Sequence, residues 1–152
     1  MTEIRAALVG EAPLIRALMK GERLNPVGVD WRNFLVAEDA GAVIGIVQLR
    51  PAGVGAVEIG SLVVRADRRR GGLGRLLVDA AVAAAGSRRA LIVTAFARAR
   101  FYEAWGFSPI PARAAPWPVR LNLLLGQAGG LVALARGMRP RRLVVLDRPP
   151  GV

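Results

Sequence analysis

A carboxylate, a glycine-rich turn and several arginines lie within one short stretch of the sequence, residues 58–85. Residues 59–64 are mostly aliphatic and β-branched, which predicts a buried strand. The helix that follows is predicted from apolar residues at helical spacing: Leu73, Leu76, Leu77, Ala80, Ala81 and Ala84. The turn between strand and helix contains Gly71, Gly72 and Gly74. A helix start has unpaired N–H groups and partial positive charge, and glycine lets an anion reach the backbone, so this junction predicts a phosphate-binding site.

The order of the glycines limits which phosphate ligand the turn can take. The P-loop pattern is absent, and the glycines do not have the spacing of a dinucleotide fingerprint. Arg69, Gly72 and Gly74 instead form R-x-x-G-x-G, which resembles the acetyl-CoA pyrophosphate loop of the GNAT superfamily of N-acyltransferases. A solvated basic turn that only caps a helix is the alternative.

The resemblance implies a set of residues that contact acetyl-CoA. The last part of the central strand would offer its main chain to the pantetheine arm, and the turn would hold the pyrophosphate. The implied cofactor-binding residues are Leu62, Val63, Val64, Arg69, Arg70, Gly71, Gly72, Leu73, Gly74 and Arg75.

A second motif, F-Y-x-x-x-G-F, covers residues 101–107 and is similar to the GNAT signature after the fifth strand. The resemblance implies that Tyr102 lies near the thioester sulfur and protonates the departing thiolate. A phenol of pKa about 10 suits a thiolate whose pKa is about 8.5. A tyrosine that only packs the helix onto the sheet is the alternative. Many relatives have Asn and Ala where this chain has Ala95 and Arg98, so a side-chain contact to CoA from that Asn is absent.

Glu58 is the candidate general base. The chain contains no His and no Cys, so a base must come from a carboxylate or from a water relay. Glu58 lies between Val57 and Ile59 in the predicted central strand, where burial of a lone carboxylate is costly and would raise its pKa toward that of a useful base. Histone- and amino-acid-modifying GNAT relatives have a carboxylate at a similar position. The alternative is a Glu58 that pairs with an arginine near the open end of the strand.

Composition sets the broad class. The 152 residues predict one domain. The resemblance implies that 34–110 is its cofactor-binding core and 111–152 an insert and last strand. A hydrophobic share of 53% excludes a disordered protein. The absence of Cys and His excludes thiol nucleophiles and the usual metal ligands, so no metal is predicted. No run of 18 apolar residues and no signal-peptide pattern occur, which predicts a cytoplasmic protein without a membrane partner.

The predicted fold class is α/β (α+β), with a mixed and mostly antiparallel central sheet of about 6–7 strands and flanking helices. The resemblance implies that this sheet is GNAT-like, with a splayed central strand pair. Strands are predicted at 4–9, 34–37, 43–49, 56–64, 88–94, 107–110 and 142–146, and helices at 11–24, 75–85 and 97–105. Two short helical turns, 119–125 and 131–134, are predicted to be separated by the glycines of 126–130.

The resemblance implies an N-acetyltransferase that moves the acetyl group of acetyl-CoA to a primary amine of a small molecule or amino acid. Transfer would occur by direct attack in a ternary complex. The net charge of +11 suits an acceptor that carries a carboxylate. The alternative is a non-catalytic module that binds acyl-CoA or nucleic acid, although nucleic acid is not favoured as a partner. The apolar insert could form an acceptor wall or the surface of a homodimer.

Overall fold

The computed structural model describes residues 1–24 and 29–152. Seven strands form one sheet in the order β1-β2-β3-β4-β5-β7-β6. The strands are β1 Glu3–Ala6, β2 Phe34–Asp39, β3 Ala42–Pro51, β4 Ala56–Val64, β5 Arg89–Ala95, β6 Ser108–Ile110 and β7 Leu143–Arg148. The helices are α1 Ala12–Gly21, α2 Leu73–Ala85 and α3 Trp117–Ala135. Short 3-10 segments occupy Val9–Glu11, Trp31–Asn33, Ala66–Arg68, Phe96–Trp105 and Ala112–Ala114. The predicted mixed sheet with flanking helices is confirmed; the helix end predicted at Asn25–Pro26 lies outside the described residues.

The chain divides into two compact units. The first comprises Met1–Arg50 and Gly60–Ala84, and the second comprises Pro51–Ile59 and Ala85–Val152. In the first unit, Ile15 and Met19 lie one turn apart on α1 and pack in a core with Phe34 and Ile46 of the sheet. The i, i+4 spacing of these two residues therefore gives α1 the buried face that the sequence predicts.

Gly45 allows α2 to approach β3 closely. A Cβ atom at this position would lie 2.9 Å from Leu77 Cδ1 and 3.1 Å from the carbonyl oxygen of Val63. A larger residue would push α2 away, and with it the turn that precedes the helix. The sequence predicts either a bulge or a close contact at Gly45, and the structure has the close contact. The irregularity in register between β2 and β3 lies elsewhere, at Ala37 and Glu38.

In the second unit, β5 lies between β4 and β7. The pairs from Ala90 with Arg148 to Ala95 with Leu143 join β5 and β7 in antiparallel register. Parallel pairing of β4 with β5 is described for only three residue pairs, Ala56 to Glu58 with Arg89 to Leu91. β4 continues to Val64 and β5 to Ala95.

The prediction of two short helical turns after the sixth strand is wrong, because α3 is one helix of 19 residues that runs through the glycines. Glycine costs about 1 kcal/mol in a helix, but packing can outweigh this propensity. Val119 and Leu123 are buried in the core of the second unit with Leu91 and Val145. At Gly126 a Cβ atom would lie only 2.7 Å from Leu143 Cδ1, so glycine lets the helix stay close to β7.

Among the described residues, α3 is also the one helix long and apolar enough to cross a bilayer by length and composition. Only 11% of its most apolar window is buried in the fold. These two criteria alone do not distinguish a membrane segment from a core helix.

Candidate active site

The turn between β4 and α2 is held in a defined shape by its own residues. Arg70 has a φ of 67° and Gly72 a φ of 81°, so the chain turns through the left-handed region twice within three residues. The side chain of Leu73, the first residue of α2, is buried and anchors the helix start. Leu73 is therefore positioned to offer its backbone, not its side chain, to a ligand.

Space for a ligand is present at the glycines. Within the described ranges, no heavy atom outside the adjoining chain lies within 4 Å of the Cβ position of Gly72 or Gly74. A hollow of about 290 Å³ beside the turn is lined by Arg68, Arg69 and Gly71, together with Thr2, Ile44, Asp67, Leu73 and Leu76. An open glycine surface at the start of a 13-residue helix matches what a pyrophosphate requires.

The arginines ahead of the glycines are engaged with acidic groups of the first unit. The Nη1 atom of Arg68 lies 2.8 Å from Asp39, and this hydrogen bond is the main cause that lowers the pKa of the Asp39 carboxyl. Arg65 lies 2.8 Å from Asp67 and lowers the pKa of that carboxyl in the same way. These exposed pairs fix the loop and leave it basic overall.

Arg69, the predicted phosphate ligand, has two partners of its own. Its Nη2 pairs with Glu22, and its Nε donates to the carbonyl oxygen of Val64 at 3.1 Å. Arg69 is exposed and Glu22 is partly exposed, so the ion pair is of the kind that contributes at most about 1 kcal/mol and can be exchanged. In this conformation, Arg69 ties the turn to the end of β4.

The end of β4 bears a backbone distortion that sequence reasoning missed. Ser61 has a φ of 48°, which is rare for a non-glycine residue and marks local strain in a strand. Its Oγ donates to Gln48 Oε1 at 3.0 Å. Gln48 is 1% exposed, and its Nε2 has no hydrogen-bond partner among the described residues. The signals were a Gly-Ser pair inside a strand and a lone amide in the apolar run of β3.

The predicted main-chain contributors lie just after this distortion. The side chain of Val63 is buried in the core of the first unit, while Leu62 and Val64 are half-buried. The carbonyl of Val64 already accepts from Arg69. The side chain of Val63 is therefore committed to packing, which leaves its backbone as the part that can meet a ligand.

Glu58 is 3% exposed on β4 in the second unit. Asn122 of α3 donates from Nδ2 to Glu58 Oε1 at 2.5 Å. A donor to the ionised form of a buried carboxylate offsets part of the cost of its burial. Sequence reasoning missed Asn122 because the residue lies 64 positions further along the chain, in a helix whose extent was predicted wrongly.

Tyr102 is 7% exposed, within the 3-10 segment that ends at Gly106 with a φ of 81°. Its ring packs edge-on against Phe101 and Phe107 at centroid distances of 5.0 and 6.3 Å. Burial raises the pKa of the phenol, and the charge of Arg98 and a hydrogen bond with Thr94 offset part of that rise. The group is therefore protonated at neutral pH and remains a hydrogen-bond donor.

Each unit thus holds part of the predicted set: the turn of residues 69–75 lies in the first, and Glu58 and Tyr102 lie in the second. A hollow of about 540 Å³ in the second unit is lined in part by the starts of β4 and β5, and neither Glu58 nor Tyr102 lines it. In the described part of the chain, no group of three or more acidic residues could hold a metal ion. The chemistry available is that of a buried carboxylate and a neutral phenol.

Solved structures share this fold. N-Acetylglutamate synthase from Neisseria gonorrhoeae, solved with coenzyme A and L-arginine, has a TM-score of 0.76 at 19% identity, over 99% of this chain and 34% of that one. The present chain therefore spans about a third of the length of that enzyme. Rv2747 from Mycobacterium tuberculosis, solved with coenzyme A, has a TM-score of 0.70 at 19% identity, and 99% of each chain is covered. A GNAT acetyltransferase from Brucella melitensis in complex with acetyl-CoA has a TM-score of 0.57 at 22% identity, over 71% of this chain and 83% of that one.

A comparison with curated proteins gives no match. The family model of the acetyltransferase (GNAT) domain, however, matches residues 30–109, which is more than half of the chain and includes β4, the glycine turn and Tyr102. The chain belongs to the GNAT superfamily of acetyltransferases, enzymes that use acetyl-CoA as co-substrate.

Proposed function

We propose that this protein transfers the acetyl group of acetyl-CoA to the primary amine of an amino acid or a similar small molecule. Residues 1–152 would act as one acetyltransferase domain in the cytoplasm, with 34–110 as the cofactor-binding core. The observation that carries the proposal is the buried Glu58 carboxylate, 3% exposed and bonded to Asn122 at 2.5 Å, on the strand that leads into the glycine turn.

Glu58 is the proposed base. Bound acetyl-CoA would supply a thioester whose carbonyl carbon accepts the amine nitrogen. The amine must be neutral before it attacks, so its proton passes to Glu58 directly or through one water. The Asn122 amide donates to one carboxylate oxygen, Oε1, and so fixes the orientation of the Glu58 carboxylate. As the carbon–nitrogen bond forms, the carbon–sulfur bond breaks and the electron pair leaves with sulfur, while the attacking nitrogen loses its second proton to solvent.

Tyr102 is the proposed donor to that sulfur. Its raised pKa keeps the hydroxyl protonated but also makes full proton transfer to a thiolate less favourable. The role that fits best is a hydrogen bond that stabilises the departing thiolate, with solvent as the final proton source. Its contacts with Phe101 and Phe107 and its hydrogen bond with Thr94 hold the ring in place for that role.

The glycine turn is the proposed pyrophosphate cradle. An anion can approach the backbone of Gly72 and Gly74 from solvent. The backbone of Leu73, Gly74 and Arg75 begins α2. The arginines at 69, 70 and 75 would add charge around the phosphates, with Arg69 exchanging Glu22 for phosphate or continuing to brace the turn. The fit rests on the backbone geometry, because the Arg69 side chain is engaged in the present conformation.

The acceptor class is proposed from charge and from the relatives. The gonococcal synthase was solved with L-arginine and, in a second structure, with N-acetyl-glutamate. The net charge of +11 favours an acceptor that carries its own carboxylate over a polycation. Free amino acids satisfy both conditions and are the first acceptors to test.

The test is calorimetric titration with acetyl-CoA, followed by thiol release with a panel of amino acids, simple amines and a polyamine. We expect 1:1 binding and release of thiol with one or more amino acids. The Glu58→Gln variant is the matched control, since it should bind acetyl-CoA equally well and release far less thiol. Absence of acetyl-CoA binding would refute the cradle, and turnover of the polyamine alone would refute the amino-acid assignment.

A further inference from the structure

The side of α3 that faces solvent is apolar along its whole length. Residues that share this side by helical spacing are Trp117, Leu121, Leu124, Leu125, Ala128, Val132 and Ala135, with Leu131 at its margin. Every one of these residues is exposed, Trp117 by 59% and Leu131 by 71%. At 1.5 Å per residue, the surface is about 28 Å long. We call this set of residues the α3 surface.

The opposite side of α3 is already used. Val119 and Leu123 are buried in the core of the second unit, and Gly126 lies against Leu143. The helix therefore has apolar residues on its buried side and on most of its exposed side, whereas a helix that packs on one side and meets water on the other normally carries polar residues outside. An exposed apolar area of this extent indicates an interaction site.

Charge around the α3 surface has one sign. Residues 104–146 contain six arginines and no acidic residue. Arg113 precedes the helix, and Arg136, Arg139 and Arg141 follow it, all four with exposed side chains. Arg120 and Arg142 lie over the aromatic rings of Trp117 and Phe96, at 5.4 and 4.6 Å from the centroids. The occupant of this surface must therefore be apolar at its centre and anionic at both ends.

We propose that the α3 surface docks the protein onto an anionic lipid bilayer. The apolar side would enter the boundary between headgroups and acyl chains, as an interfacial helix does, and the flanking arginines would meet lipid phosphates. Trp117, at the helix start, is the type of residue that anchors a segment at this depth. Since Val119 and Leu123 remain packed on the second unit, the helix would lie in the membrane plane and not span it.

A second copy of the chain fits this surface less well. Parallel pairing of two α3 helices would place like ends together, and antiparallel pairing would place Arg120 of one copy near Arg136 and Arg139 of the other. Residues 104–146 offer no carboxylate to offset either arrangement. Charge complementarity therefore favours the lipid surface over the homodimer, and it revises the sequence-based expectation of no membrane partner.

The experiment is co-sedimentation with vesicles of phosphatidylcholine alone and of phosphatidylcholine with phosphatidylglycerol in a 3:1 ratio. We expect at least tenfold stronger partitioning onto the anionic vesicles, reduced but not abolished by high salt because apolar insertion adds to the electrostatic attraction. Trp117 fluorescence should shift to shorter wavelength on binding, whereas the Trp117→Phe variant should lose that shift.

Two pairs of variants separate the apolar and basic contributions. Leu121→Glu with Leu124→Glu should abolish sedimentation, whereas Leu8→Glu with Val9→Glu, at two exposed apolar residues of the first unit, should not. Arg139→Gln with Arg141→Gln should weaken binding to anionic vesicles several-fold, whereas Arg16→Gln with Lys20→Gln removes the same charge from α1 and should have little effect. Thermal unfolding checks that each variant is folded.

Equal sedimentation with both vesicle types, or none with either, would overturn the proposal. So would light scattering that shows a dimer which Leu121→Glu with Leu124→Glu dissociates, because the α3 surface would then be covered by a second copy. Equal loss of binding in the Arg16 and Lys20 control would mean that vesicle binding depends on net charge alone. This outcome would also refute docking through α3.

Discussion

The glycine turn and the Glu58 site differ in how far apart along the chain their parts lie. The turn is made of consecutive residues, is mostly exposed, and offers backbone groups whose positions depend on two left-handed residues, Arg70 and Gly72. The Glu58 site joins two residues 64 positions apart and is buried. A site of the first kind tolerates change in side chains, whereas a site of the second kind depends on both partners.

Among these variants, Glu58→Gln should have the largest effect on activity. It tests directly whether the buried site depends on its carboxylate. The amide has the size of the carboxylate and can still accept from Asn122, but it cannot take a proton from the amine. We expect kcat to fall about 10²–10³-fold, with acetyl-CoA affinity unchanged, as measured by thiol release and calorimetry. A loss of less than threefold would mean that water alone acts as the base.

Asn122→Leu tests whether the carboxylate depends on its distant partner. Loss of the donor leaves a buried charge less well satisfied, at a cost of about 1–3 kcal/mol to the folded state. The carboxylate is then no longer held in place for proton transfer, so kcat should fall roughly tenfold. The acid limb of the pH–rate profile should move to higher pH, because the ionised carboxylate has lost a hydrogen bond. The control is Gln127→Leu, at an exposed polar residue of the same helix. An equal fall in kcat in this control would mean that Asn122 contributes only to the stability of the helix.

The same contrast explains what could be predicted from the sequence. The turn, β4 with its bounds at Ala56 and Val64, and Gly106 as a helix cap are local features, and the structure contains each of them. The partner of Glu58 was not predicted, since no local pattern joins a strand residue to a helix 64 positions away. The helix itself was predicted in two pieces, because the low helix propensity of glycine indicates a break. The close contact of Gly126 with Leu143 is a tertiary contact, which the local sequence does not show.

Arg69 shows a different limit to what the sequence can predict. The pattern R-x-x-G-x-G identified the residue, but its partners, Glu22 and the Val64 carbonyl, depend on where α1 ends relative to the turn. Ser61 and Gln48 lie between these cases. Their local signals were present in the sequence, yet only the structure shows that Ser61 is left-handed and that Gln48 Nε2 lacks a partner among the described residues.

Tyr102→Phe tests the second proposed catalytic residue of the second unit. We expect roughly a tenfold loss in kcat with acetyl-CoA binding retained, since a hydrogen bond to sulfur and not a full proton transfer is lost. The wild-type phenol can be titrated by its absorbance without interference, because Tyr102 is the only tyrosine. Its midpoint should lie above 10 when folded and near 10 in denaturant, because burial raises its pKa.

The sign of the stability effect follows from that shift. The folded state favours the neutral phenol, so the contribution is fully present below pH 10 and is lost as the pH rises through 10 toward the folded pKa. Urea unfolding at pH 8 and pH 11 should therefore show a larger loss of stability for the wild type than for Tyr102→Phe. Equal losses, or a folded midpoint at or below 10, would show that the phenol is not buried as described.

Two glycine variants, with the smallest expected effects, test whether the turn works through its backbone. Gly72→Ala forces alanine into a φ of 81° and should lower stability by about 1–2 kcal/mol. Gly74→Ala lies in the first turn of α2 and should raise stability by up to about 1 kcal/mol, as alanine favours the helix. Both methyl groups would enter the open space beside the helix start, so both should weaken acetyl-CoA binding several-fold despite opposite effects on the melting temperature.

Gly86→Ala provides the matched control for this pair. Gly86 has a φ of 62° and open space at its Cβ position, so it should show the same loss of stability as Gly72→Ala without any change in acetyl-CoA affinity. If affinity followed stability across the three variants, the turn would act only as a helix cap. If affinity fell at Gly72 and Gly74 alone, close approach of an anion to the backbone would be the remaining explanation, because strain and helix propensity change in opposite directions at these two positions.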